Sequence, residues 1–198
     1  MADTVEMPIF PLGSVLFPGG RLGLRIFEPR YVAMTERCLR EQSPFGVTLI
    51  RAGYEVGAPA VPCDWGCTAR IGGWQLLAPA QYLLQARGET RFRILRRRVQ
   101  DDGLIVAEVE IAEPPDPVPL PRPYALLGQL LGRLIEDLGA EHFPQPQRLD
   151  DAAWVGYRLC ELMPVPPERQ QELLELDDPR RVLEAITRFV QELPEDGE

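Results

Sequence analysis

The sequence predicts an α+β protein, with a β-rich front half followed by an α-helical back half. Three observations predict it. To about Pro114 the chain is punctuated by glycine and proline and carries only short apolar runs. From Pro114 to Pro123 it is proline-rich, which reads as a stiff linker with little regular structure. Beyond Pro123 the apolar residues recur at helical spacing. The expected organisation is a β-rich subdomain over 1–114, a linker over 115–122 and a helical subdomain over 123–198.

In the front half Met7 to Leu12 and Ser14 to Phe17 read as strands, and Pro18-Gly19-Gly20 as a turn. Pro8 and Pro11 suggest an edge-like extended segment. Glu28 to Glu41 reads as a helix with Tyr31, Met34 and Cys38 on one face and Glu28 at its positive end; Pro44 ends it. Phe45 to Ile50, Gly66 to Ile71 and Gln75 to Gln85 are further strand candidates, with Gly72-Gly73 as a turn between the last two.

The sharpest local expectation is a hairpin from Arg91 to Ile111 around Gln100-Asp101-Asp102-Gly103. If Val99 pairs with Leu104, Phe92 lies opposite Ile111, Ile94 opposite Val109 and Arg93 opposite Glu110. That register matches apolar with apolar and base with acid. Arg96 and Arg98 interrupt the apolar face, which should therefore emerge into solvent near the turn.

In the back half Pro123 suits a first helical position, and Leu127, Leu130, Leu131, Leu134 and Leu138 form a stripe that Gly139 can close. Asp150 or Asp151 can cap a helix carrying Val155, Leu159 and Leu162, ended by Pro164. Pro167 opens a short helix through Leu176. Asp178-Pro179 starts another with Val182, Ile186, Phe189 and Leu193 inward, stopped by Pro194.

The chain has 198 residues, 45% hydrophobic and 26% charged, enough for a core and close to globular averages. Its net charge of −9 disfavours nucleic-acid and anionic-membrane affinity, since phosphates need clustered bases. Acidic residues at Asp3 and Glu6 stand where a secretory signal would carry bases, so a cytoplasmic location is expected. No apolar run approaches the roughly 18 residues of a membrane span.

Several residues invite chemistry. Cys63 and Cys67 could anchor a metal, but neither Cys38, Cys160 nor His142 forms a second ligand pair, so reduced structural thiols and no metal are expected. His142, the sole histidine, lies in an inter-helix loop with no nucleophile elbow of the G-x-S-x-G type. Arg96-Arg97-Arg98 could meet RNA, yet the acids around it favour a charged hairpin tip. Trp65, Trp74, Phe45, Tyr54 and Tyr82 could line an apolar groove for an extended peptide, or fill a barrel. Trp65 and Trp74 stand next to turn-like sequence, where binding residues concentrate.

Met7-Pro8-Ile9-Phe10-Pro11-Leu12-Gly13-Ser14-Val15-Leu16-Phe17-Pro18-Gly19-Gly20 and Leu24-Arg25-Ile26-Phe27-Glu28-Pro29-Arg30-Tyr31 resemble the opening of the Lon N-terminal domain. Phe45-Gly46-Val47, Gly66-Cys67-Thr68-Ala69-Arg70-Ile71 and Gly88-Glu89-Thr90-Arg91-Phe92-Arg93-Ile94 follow in the family's order, although Cys67 is inserted between Gly and Thr. Gln171 to Glu175, Asp178 and Arg181 resemble its helical segment. The resemblance implies a PUA-like pseudo-barrel packed against helices, in a stand-alone domain.

A full Lon protease adds ATPase and protease domains, but this sequence holds no G-x-x-x-x-G-K-[ST] phosphate loop and no lysine at all. A Ser–Lys dyad is chemically impossible within it. The expected function is therefore a non-catalytic module, without cofactor, that recognises unfolded or exposed polypeptide segments on an apolar surface between barrel and helices, in connection with a protease or chaperone system. The alternatives are an RNA-binding PUA-like domain and a small-molecule hydrolase.

Overall fold

The computed structural model describes residues 4–114 and 117–192. Its contacts group into two compact units, Met1–Pro114 and Pro115–Glu198. The expected positions of Pro115, Leu193 and Pro194 lie outside the described residues.

The first unit is a six-stranded mixed sheet with one helix. Its strands are β1 (Thr4–Leu12), β2 (Arg21–Ile26), β3 (Phe45–Ala52), β4 (Val61–Ala78), β5 (Gln81–Val99) and β6 (Ile105–Ile111), and α1 is Pro29–Glu41. The order is β2-β5-β4-β3-β1-β6, and β6 returns to pair with β5, so the sheet closes on itself and leaves β2 outside the ring. Closure removes most open edges. One core packs Phe10, Leu24, Ile26, Met34, Phe45 and Leu84 with their neighbours; a second packs Met7, Ile9, Phe92, Ile94, Ile105 and Val109.

β1 runs parallel to β3 and antiparallel to β6, and is thus an internal strand rather than the edge its prolines suggest. The pairing explains how both prolines fit. Pro8 lies where β1 pairs with β6 alone, and Pro11 where it pairs with β3 alone, so each ring can occupy the side that lacks a neighbour. Ser14 to Phe17 is not a strand; it leads irregularly into the Pro18-Gly19 turn, where Gly19 adopts φ 80°. α1 starts after Glu28, buries Tyr31, Met34 and Cys38 as expected, and ends on Gln42 in the left-handed conformation.

Three readings of the β4–β6 region are corrected. Gly72-Gly73 is no turn: β4 continues through it with a register shift between Ile71 and Gly73, and the chain reverses at Pro79-Ala80, with Ala80 at φ 57°. Gln75 to Gln85 is consequently not one strand. In the next hairpin Phe92, Arg93 and Ile94 pair with Ile111, Glu110 and Val109 as expected. A bulge between Ile94 and Arg96 then moves the register by one residue, so Val99 faces Ile105 and not Leu104. Leu95, at the bulge, is exposed.

The second unit is helical: α2 (Ala125–Leu138), α3 (Ala152–Leu162), α4 (Pro167–Leu174) and α5 (Pro179–Glu192), with 3₁₀ turns at Arg122–Tyr124 and Ala140–His142. α3 is the central element, buried from Trp154 to Cys160, and packs against the other three. Asp151 caps it, its carboxylate accepting from the Trp154 N–H at 2.9 Å. Gly156 lets α5 approach, since a Cβ there would stand 3.1 Å from Val182 Cγ1. The α2 stripe buries Leu127, Leu131 and Ile135, while Leu138 is exposed. Part of the expected linker is tied down: Leu120 N–H donates to Asp150 and Ala152 N–H to Val118.

Candidate functional site

β4 and β5 are long, and their length creates the most conspicuous surface. β4 pairs with β3 only from Val61 to Ala69, so its last residues run past the ring together with the start of β5. Across this extension Trp74 pairs with Leu84, Gln75 with Leu83 and Leu76 with Tyr82. Strand alternation puts Trp74, Leu76 and Tyr82 on the face that Leu84 and Leu24 share with the core. The core face thus continues outward into solvent. Trp74 is 55% exposed, Leu76 51%, Leu77 45% and Leu83 39%.

The face is held in shape by polar contacts. The rings of Trp74 and Tyr82 meet edge to face with centroids 5.9 Å apart. The Tyr82 hydroxyl donates to Glu36 of α1 at 3.0 Å, and that bond to a carboxylate holds the phenol above its ordinary pKa. Arg70 forks onto Glu89 at 2.5 and 3.2 Å and donates to the Gln42 carbonyl at 2.6 Å, tying β4 to β5 and to the end of α1.

The five aromatic candidates do not form one cluster. Trp74 and Tyr82 come together on the hairpin. Phe45 is fully buried against Phe10, with centroids 6.4 Å apart, and is a packing residue. Trp65 is half-buried on another stretch of β4, with the buried Arg91 guanidinium 5.5 Å from its ring centroid. Tyr54 stands 83% exposed in the loop between β3 and β4. The surface residues missed in the sequence are Leu76, Leu77 and Leu83. The adjacent Leu76-Leu77 pair carried a signal, because neighbouring strand residues point to opposite faces and one of two leucines is then hard to cover.

A cleft of about 260 Å³ lies beside β2, lined by Phe10, Leu12, Leu24, Ile26, Tyr31 and Val56 among others. Another of about 320 Å³ is lined by Cys38, Leu39, Gln42, Ser43, Arg70 and Ile71.

The other candidates sit as follows. Cys67 is buried and Cys63 half-buried, and no group of three or more His, Cys, Asp or Glu is placed to hold a metal ion among the described residues. His142 is exposed next to Glu141, at 3.6 Å. The arginine triplet is engaged: Arg98 binds Glu6 at 2.5 Å, Arg96 lies 4.0 Å from Glu108, and Arg97 donates to the Pro62 carbonyl at 3.3 Å. No described helix is long and apolar enough to cross a membrane.

Residues 6–192 match the family model of the ATP-dependent protease La (LON) substrate-binding domain. The chain is 32% identical over 109 residues to Lon protease of Anaeromyxobacter dehalogenans and 33% identical to Lon protease 2 of Myxococcus xanthus, each match covering 54% of this chain and 13% of the relative. It is also 30% identical over 137 residues to protein cereblon of Danio rerio, covering 67% of this chain and 30% of cereblon. The chain therefore spans a small part of the curated relatives it matches. Among solved structures, the Lon N-terminal domain protein from Xanthomonas campestris shares 38% identity with a TM-score of 0.79, covering 96% of this chain and 99% of that one. The N-terminal domain of Mycobacterium avium complex Lon protease shares the fold, with 15% identity, a TM-score of 0.62 and coverage of 96% and 100%.

Proposed function

The chain belongs to the family of the LON substrate-binding domain, and on that footing we propose that it is a non-catalytic module that holds unfolded or exposed polypeptide segments. The observation that carries the reading is the solvent-exposed continuation of the core face onto the β4–β5 hairpin. On that face Trp74 and Leu76 leave apolar side chains in water beside Tyr82. Contiguous apolar surface of this kind is unfavourable unless another apolar chain covers it. Trp74 and Tyr82 belong to the proposed site, and Phe45, buried against Phe10, does not.

Polypeptide is favoured over RNA by the charges. Arg98 is bound to Glu6 and Arg97 to the Pro62 carbonyl, so a phosphate would have to compete with those partners, in a chain of net charge −9.

The test is binding of a reduced, carboxymethylated unfolded protein to the purified chain. Wild type should bind, and Trp74→Ala/Leu76→Ser should weaken binding at least about tenfold, the equivalent of about 1.4 kcal/mol, with an unchanged thermal melt. Equal binding by both would remove the hairpin from the site. Stoichiometric cleavage of the bound polypeptide would overturn the non-catalytic reading.

A further inference from the structure

Among the described residues β2 has a hydrogen-bonded neighbour, β5, on one side alone. The Gly88 N–H donates to the Gly20 carbonyl at 2.9 Å, while the Gly20 N–H turns back to the Phe17 carbonyl and the Gly88 carbonyl accepts from Gly19; the one bond between Gly88 and Gly20 sets the phase of the ladder. The register continues as Leu22↔Ala86 and Leu24↔Leu84. Alternation along an antiparallel ladder then turns the backbone N–H and C=O groups of Gly23 and Arg25 away from β5. Gly23 and Arg25 border the cleft of about 260 Å³, which Phe10, Leu12, Leu24 and Tyr31 make apolar. Val56 of the loop between β3 and β4 lines it as well, and Glu55 fastens that loop by accepting from the Gly13 N–H at 2.6 Å.

An open strand edge along an apolar cleft is completed by an extended chain. The backbone of the added chain pairs with the edge, and every second side chain enters the cleft. The remaining side chains of such a strand would lie on the outer face of β2, beside the exposed Arg21 and Arg25 and near Arg87, which pairs with Arg21. A second copy of β2 is a poor occupant. Antiparallel self-pairing centred on Gly23 would set Arg21 against Arg25, and like charges directly opposite destabilise a sheet.

Resting on the polypeptide-binding reading above, we propose that β2 accepts an added strand from a polypeptide segment in which acidic and apolar residues alternate. The acids meet Arg21 and Arg25, and the apolar residues fill the cleft. Specificity then resides in the pattern of the segment, with main-chain bonds holding it in extended form.

The experiment uses the full chain and a fluorescent hexapeptide of alternating Glu and Val. Controls are the same peptide N-methylated at every second residue and a Lys/Val counterpart. Gly23→Pro removes an outward N–H; a Cβ at Gly23 meets nothing within 4 Å, and edge strands tolerate proline on their open side. Arg25→Glu tests the charge without touching the backbone, and decides the matter with the N-methylated peptide should Gly23→Pro fail to fold.

The Glu/Val peptide should bind, and each control peptide and each variant should weaken binding at least about tenfold. Undiminished binding in Gly23→Pro and Arg25→Glu would overturn the inference. Should both variants also keep wild-type affinity for the unfolded protein while Trp74→Ala loses it, strand addition is excluded and the polypeptide reading stands. Failure of the wild-type chain to bind the unfolded protein would remove that reading and this inference with it.

Discussion

Gly66 and Phe92 face each other across the β4–β5 ladder, and the aromatic ring occupies the space that a side chain on the glycine would need. A Cβ at Gly66 would stand 2.7 Å from Phe92 Cζ and equally close to Thr48 Cγ2, with the Val47 carbonyl closer still. Gly46 of β3 is likewise shut in by Phe92 and Ile9. The fully buried ring is thus seated on two glycines of neighbouring strands.

Gly66→Ala should therefore destabilise the first unit by about 1–3 kcal/mol, the usual cost of overpacking a rigid core. Phe92→Ala should cost about 3–5 kcal/mol by opening a cavity. Denaturant midpoints measure both. In the double variant the contact with the ring is relieved while those with the Val47 carbonyl and Thr48 remain, so the combined loss should fall at most slightly below the sum of the two. An unchanged midpoint in Gly66→Ala would contradict this packing.

The three tryptophans should separate by quenching. Trp154 is 6% exposed, Trp65 is half-buried and Trp74 is 55% exposed. Acrylamide should quench one component readily, and Trp74→Ala should abolish that component. The same variant should change stability by no more than about 0.5–1.5 kcal/mol, the worth of its edge-to-face contact with Tyr82. A readily quenched component that survives in Trp74→Ala would mean the hairpin tip is covered.

Thiol labelling should follow burial. Burial pushes the Cys160 thiol up to about 12 and raises that of Cys38, and Cys67 is enclosed completely. The thiolate is the reacting species, so these three should resist iodoacetamide at pH 8 in the native protein and react on unfolding. Cys63, half-buried, should label first, as read by mass spectrometry of the digested chain. Rapid native labelling of Cys160 would contradict the central position of α3.

The Glu6–Arg98 pair joins β1 to the outer end of β5, and the hydrogen bond from Arg98 holds the Glu6 carboxyl below its ordinary 4.5. A carboxyl with a lowered folded pKa contributes stability that is present above its unfolded value and lost as pH falls through the folded one. Glu6→Gln should accordingly lower stability slightly at neutral pH and converge with wild type in the acid range below 4.5. Because both side chains are more than half exposed, the neutral-pH difference should also shrink in high salt. A difference that persisted in acid would assign the effect to something other than this pair.

Legibility in the sequence followed contrast. The Phe92–Ile94 part of the β5–β6 register could be read because apolar and charged residues alternate there, and only one phase buries the apolar set. The bulge at Leu95 could not, because Arg96-Arg97-Arg98 is polar on both faces and leaves the phase undetermined. Gly72-Gly73 misled because a glycine pair reads the same in a turn and in a bulge, while the true reversal at Pro79-Ala80 puts an alanine in a left-handed conformation that sequence does not announce. β2 was legible in principle, since Leu22, Leu24 and Ile26 alternate with Arg21, Gly23 and Arg25. For the candidate site, Trp74 and Tyr82 were named and do meet. Phe45 was not separable from them, because whether an aromatic strand residue faces in or out is decided by neighbours distant in sequence.

The placement of β1 between β3 and β6 has a kinetic consequence. Thr4 pairs with Glu110, so the earliest strand of the chain gains its antiparallel neighbour only after the whole first unit has been synthesised. Loop closure on that scale is slow compared with the local contacts that assemble helices. During synthesis the residues Ile9 to Leu12 can already pair with β3, whereas Thr4 to Pro8 must wait for β6, and an apolar strand half without its partner is exposed to aggregation in that interval.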